Sequence, residues 1–180
     1  LQDGAVLRHS QNYQTTYPLL FTLDLTCTDA LTIDTGGELD LVGLGYPNRN
    51  GPGGGSGSNG GGGGSYGGRG GYGSAGDDTV KPGLTYGSIT QPVDVGSGGG
   101  ADSAGSFGGG ALKATVANAA TINGRIRAES TKVFGHKAGG SGGSVWVDVG
   151  TLSGSGTISA RGDDFDNPLA GNSGGGGGGR

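Results

Sequence analysis

Ala120-Thr121-Ile122-Asn123-Gly124-Arg125-Ile126-Arg127-Ala128 and Gly150-Thr151-Leu152-Ser153-Gly154-Ser155-Gly156-Thr157-Ile158-Ser159-Ala160 decide how this chain is read. Each starts with threonine beside an apolar residue, turns at glycine and ends in an Ile-x-Ala run. Alternation of apolar and polar residues at period two is the signature of a strand. Working outward, each is preceded by a further strand-like run, Leu112–Val116 in one case and Val145–Val149 in the other. A third burst lies upstream and has the same plan: Leu19–Leu25, Leu31–Asp34 and Glu38–Val42.

Strand-and-turn units that recur along a chain point to a repeat architecture. One burst cannot bury its own apolar face, whereas stacked neighbours can. Turns this short between strands this short suit the corners of coils. The expected fold is therefore all-β: glycine-rich parallel β-helix or solenoid coils with polyglycine-II-type helical arms. The arms are the glycine-rich segments between bursts, Gly43–Gly76, Gly96–Gly110, Gly135–Gly143 and Gly171–Gly179. A polyglycine II helix has about three residues per turn and no internal hydrogen bonds, as in polyproline II. Its backbone groups bond sideways to neighbours, and glycine alone permits so close an approach. Tyr46, Tyr66, Tyr72 and Phe107, spaced through the arms, are not needed by a flexible linker. On this reading assembly rests on Gly60, Gly61, Gly62, Gly63 and Gly64, on Tyr66 and Tyr72, and on Gly174, Gly175 and Gly176.

The whole chain reads as one repeat module. Residues 1–42 form the first strand coils, 43–110 the glycine-rich arms, 111–170 the second and third strand coils, and 171–180 an arm leading to a next unit. Both ends fall in mid-pattern, and the absence of methionine suits a processed product or a fragment.

Composition narrows the alternatives. Of 180 residues 48 are glycine, so an ordinary helical domain is excluded, since glycine costs about 1 kcal/mol per helical position. Only six prolines and no Gly-X-Y register exclude collagen. A net charge of −4 is too mild for a charge-driven disordered chain and has the wrong sign for bulk attraction to nucleic acid or anionic lipid. No apolar run approaches a membrane span. The single cysteine, Cys27, has no internal disulfide partner and reads as a small packed residue.

Chemistry-bearing motifs are few. Asp163-Asp164-Phe165-Asp166-Asn167 gathers hard oxygen ligands, which makes Asp163, Asp164 and Asp166 a calcium candidate, without the spacing or the glutamate of an EF-hand. Otherwise it is a solvated turn, and no cofactor is expected. Arg161-Gly162-Asp163 spells an integrin-recognition triplet that is cheap by chance among so many glycines. His9 and His136 stand in separate repeats without ligand spacing. The single Arg-Gly-Gly at Arg69 is no RNA-binding array, which needs many arginines alternating with aromatics. No Asn-x-Ser/Thr sequon occurs.

Gly4-Ala5-Val6-Leu7-Arg8-His9-Ser10 through Tyr17-Pro18-Leu19, and Leu31-Thr32-Ile33-Asp34-Thr35-Gly36-Gly37-Glu38-Leu39-Asp40-Leu41-Val42-Gly43-Leu44-Gly45-Tyr46, carry a resemblance. So do Gly96-Ser97-Gly98-Gly99-Gly100 and Gly139-Gly140-Ser141-Gly142-Gly143-Ser144-Val145-Trp146-Val147. Together they resemble the glycine-rich parallel β-helix repeat modules of large secreted or cell-surface microbial proteins. That resemblance implies an extracellular or cell-surface location and tandem repetition, with no defined activity.

The expected function is that of an extracellular structural module, not an enzyme, which assembles with itself head to tail into a filament or surface stalk. Glycans, attached or bound, are the other expected partners; nucleic acid and membrane insertion are not expected. One alternative is an adhesin-type glycan- or ice-binding module presenting Thr22, Thr26, Thr28 and Thr32 on a flat face. A second is a polysaccharide-degrading β-helix enzyme, which rests on fold association alone.

Overall fold

A computed structural model describes residues 1–13, 21–57, 60–73, 78–100, 106–131, 138–164 and 173–180. The apolar bursts form strands: β1 (Val6–Leu7), β2 (Leu23–Cys27), β3 (Ala30–Ile33), β4 (Glu38–Asp40), β5 (Ala111–Ile122), β6 (Arg125–Arg127), β7 (Ser144–Ser153) and β8 (Thr157–Ser159). All pairings are parallel. One sheet runs β1-β4-β6-β8; in the other, β5 pairs with β2 and β3 on one side and with β7 on the other. Gly36 (φ 86°) and Gly154 (φ 116°) turn the chain from β3 to β4 and from β7 to β8, in a region that side chains disfavour.

Register explains the core. Leu39 pairs with Ile126 and Ile126 with Ile158, while Ile33 pairs with Ile122, so like residues stack in rows. Ile33, Leu39, Leu41, Leu112, Ala114, Ala120, Ile122, Ile126 and Ala128 share one buried cluster to which both sheets contribute. At about 25 cal/mol per Å² of apolar area, such a small cluster gives modest stabilisation. The remainder comes from an unusual quarter.

Much of the glycine-rich arms is buried. Residues 43–46, 60–66, 95–100, 108–110 and 138–143 are buried throughout. They belong to no strand, and their backbone groups bond across to other arms. Gly96 N donates to Gly109 O (2.8 Å), Gly109 N to Ser141 O (2.9 Å), Ser141 N to Ser97 O (2.9 Å), Gly64 N to Gly139 O (2.9 Å) and Gly139 N to Gly174 O (3.0 Å). Backbone polar groups buried this deeply require partners, and these arms supply them to one another. The result is a hydrogen-bonded layer beside the two sheets.

The expected fold class needs correction. Among the described residues no solenoid or closed coil is found; the strands form two separate parallel sheets in a mixed, α/β-like arrangement that is nearly free of helix. The one α-, 3-10- or π-type element among the described residues is the 3-10 turn Asp78–Val80, and the arms run as irregular backbone bonded sideways to one another. The reason lies in chain spacing. Register partners Leu23 and Leu112 are separated by the long arms, whereas Leu112 and Val145 are separated by one short arm, so successive bursts are not equivalent coils. The run Leu112–Val116 and the one that starts at Ala120 are also not separate strands: β5 runs from one into the other, with a shift in its register against β7 between Val116 and Ala119.

Candidate functional site

Two features stand out. The first is the outer edge formed by β7 and β8. In a parallel ladder, successive residues direct their backbone groups to opposite neighbours. Ser144 N donates to Gly110 O on the inner side, while Val145 N donates outward to the carbonyl of Arg180 (2.8 Å). Val147 and Val149 therefore direct their amides outward, where β7 has no partner strand among the described residues. The side chains show the same incompleteness. Ala120 and Ile126 are fully buried, yet their register partners Leu152 and Ile158 are 54% and 43% exposed. The row is identical in kind; only the covering strand differs.

The second feature is the glycine layer with its tyrosine anchors. Gly60, Gly61, Gly62, Gly63 and Gly64 lie buried in it, bonded through Gly63 N to Gly71 O (2.9 Å), Gly100 N to Gly62 O (2.9 Å) and Gly174 N to Gly61 O (2.9 Å). Gly174, Gly175 and Gly176 join the same layer: Gly71 N donates to Gly175 O (2.8 Å) and Gly176 N to Asp163 O (3.0 Å). Tyr66 is fully buried, and its hydroxyl meets Ser144 Oγ at 2.9 Å beside the start of β7. Its ring lies 4.8 Å from that of Tyr86, which donates to Val95 O (2.5 Å) and accepts from Ser97 Oγ (2.9 Å). Burial pushes both phenols above their ordinary range, so they remain neutral donors. Tyr72 is different: it is half exposed, with the Arg69 guanidinium 5.4 Å from its ring centre.

The remaining sequence candidates are dispersed. Asp163 is buried, with its own N–H bonded to Gly140 O (3.0 Å), while Asp164 is exposed. Asp166 lies outside the described residues, as does His136. Among the described residues no group of three or more His, Cys, Asp or Glu is placed to hold a metal ion. Cys27 is partly buried in β2. Thr26 and Thr32 face outward beside Thr115 and Thr121, a two-strand rank with Asp148 and Ser153 in the third.

His9 is buried against β5. Its Nδ1 lies 2.8 Å from Ser10 O, and its Nε2 accepts from Ala111 N at 3.4 Å. This pattern requires the proton on Nδ1. Burial lowers the imidazole pKa, and the Ser10 carbonyl only partly opposes it.

Sequence reasoning missed the open edge. The signal was present, because Ile158 aligns with Ile126, but which strand lies outermost depends on the pairing order. No known protein family, curated protein or solved structure matches the chain.

Proposed function

We propose that this chain is a structural, non-catalytic module that associates with further copies of itself by extending its parallel sheets at the β7–β8 edge. The observation that carries this reading is the exposure of Leu152 and Ile158 beside register partners, Ala120 and Ile126, that are fully buried. Open parallel edges with apolar side chains invite another strand. The opposite edges, β1 and β2, run in the same direction as β8 and β7, so a second copy needs no reversal to pair there. Joining one edge to a different edge is a head-to-tail contact, which gives a filament where the rotation does not close. The resemblance to glycine-rich surface repeats favours the cell exterior as its setting.

Sedimentation velocity over a concentration series tests the proposal. The native chain should shift to larger species with concentration, and the Leu152→Lys, Ile158→Lys double variant should remain monomeric with an unchanged melting temperature. A native chain that stays monomeric at the highest attainable concentration would refute self-association.

A further inference from the structure

A groove of about 310 Å³ runs along the outward face of the β6–β8 pair. Arg125, Arg127 and Glu129 line one side, and Thr157, Ser159 and Arg161 the other. They form a grid because Arg125 pairs with Thr157 and Arg127 with Ser159, while Ile126 and Ile158 take the inward positions. Three of the eleven basic residues of an acidic chain converge on this one concavity.

Two of the three guanidinium groups are held in place. Arg127 Nε donates to Glu38 Oε1, and its Nη2 lies 3.6 Å from Asp40 Oδ1. Arg161 Nε donates to Glu129 Oε1 (3.1 Å), which also accepts from Ser159 Oγ (2.7 Å). Burial works against ionisation of Glu129, but these bonds and the nearby arginines outweigh it and hold the carboxyl below its ordinary value. Arg125 is exposed and points from the same face with no carboxylate partner among the described residues.

We infer that this groove binds an anionic polysaccharide, with Arg125 and Arg161 taking its carboxylate or sulfate groups and with Ser159, Thr157 and Glu129 meeting its hydroxyls. Arginine presents a rigid fork of donors that suits such oxyanions. Glu129 has remaining lone pairs for a sugar hydroxyl, and Thr157 and Ser159 can donate or accept. Hydroxyl partners interleaved with the cations suit a chain that carries free hydroxyls beside its acidic groups, which the DNA backbone lacks. The lining also has no aromatic side chain on which a base could stack. This inference does not rest on self-association: the groove side chains stand on the sheet face, whereas edge pairing uses the backbone of β8.

Calorimetric titration at low ionic strength with oligogalacturonate, dextran sulfate, neutral dextran and single-stranded DNA tests it. The two acidic polysaccharides separate carboxylate from sulfate as the recognised group, and binding of either supports the inference. Arg125→Gln and Arg161→Gln should each weaken that binding about tenfold, the loss expected for one charge-assisted contact. Lys113→Gln, which removes a charge from the other sheet, should leave it unchanged. Arg125→Gln touches no structural partner, so its unchanged melting curve separates lost binding from lost folding. The inference is overturned if neither acidic polysaccharide binds more tightly than dextran, if DNA binds more tightly than both, or if Lys113→Gln weakens binding as much as Arg125→Gln.

Discussion

A single methyl group placed in the glycine layer should destabilise the protein as much as a core truncation does elsewhere. A Cβ on Gly61 would lie 2.6 Å from Gly100 O and 2.7 Å from its carbonyl carbon, both backbone atoms that no rotamer change can move. That is about 0.8 Å short of ordinary contact at 3.4 Å. Overpacking of this kind typically costs about 1–3 kcal/mol. Moving the neighbouring backbone also strains the Gly174 N to Gly61 O bond, worth about 1 kcal/mol. Gly61→Ala should therefore cost about 3 kcal/mol, a fall of about 6–12 °C in melting temperature at 2–4 °C per kcal/mol for a chain of this size. Gly178 is the internal control, since a Cβ there meets nothing within 4 Å. Gly178→Ala should be neutral, or stabilising by about 0.4–1 kcal/mol through the unfolded chain. Differential scanning calorimetry of both variants measures the contrast. If both melt within about 1 °C of the native chain, the glycine arms do not pack as described.

Other consequences can be checked alongside. His9 has a folded pKa below its unfolded value of about 6.5, so the unfolded chain binds the extra proton first. Stability should be complete above that value and fall as pH drops from it toward the folded pKa, by at most about 1.4 kcal/mol per pH unit; His9→Gln should flatten that slope in urea titrations. Asn12 is fully buried, donates to Phe21 O (2.9 Å) and Leu44 O (2.7 Å), and accepts from Phe21 N (2.7 Å). Asn12→Ala should cost about 3 kcal/mol by urea unfolding, because the buried Leu44 carbonyl loses its donor and two more bonds go with it. Tyr66→Phe should cost about 1 kcal/mol, for the hydroxyl alone, and Tyr66→Ala about 3–5 kcal/mol, for the buried ring.

The sequence made the strand positions legible because period-two apolar residues are a local signal. Among the described residues eight strands fall in the three bursts and the N-terminal segment. The matching Ile-x-Ala runs set Ile126 opposite Ile158, as the ladder does, but the matching threonine runs set Ile122 opposite Leu152, where the ladder pairs Ala120. The ladder keeps one register from Ala119 through Arg127, so matching Thr121 to Thr151 by residue type slides the run by two positions, and the turn at Gly154 absorbs the difference. Closure into coils was not legible, because it depends on how unequal connections are routed and not on the strands themselves. The cross-bonding of the arms is a property of pairs such as Gly64 with Gly139 or Gly109 with Ser141, which have identical local sequence to many unpaired alternatives. The arginine groove escaped for the same reason: Arg125 and Arg161 lie in different bursts and meet only through the β6–β8 register. Tyr66 and Tyr72 looked equivalent in sequence; burial separates them, since only Tyr66 reaches Ser144.

Amide hydrogen exchange at the β7 edge, measured at low and high protein concentration, tests self-association by strand pairing most directly. Val147 and Val149 should exchange freely in dilute protein, where the edge is open, and become protected as concentration rises, while Leu112 and Ala114 inside the sheet stay protected throughout. Free exchange at Val147 and Val149 at every concentration, in samples that sediment as larger species, would contradict it.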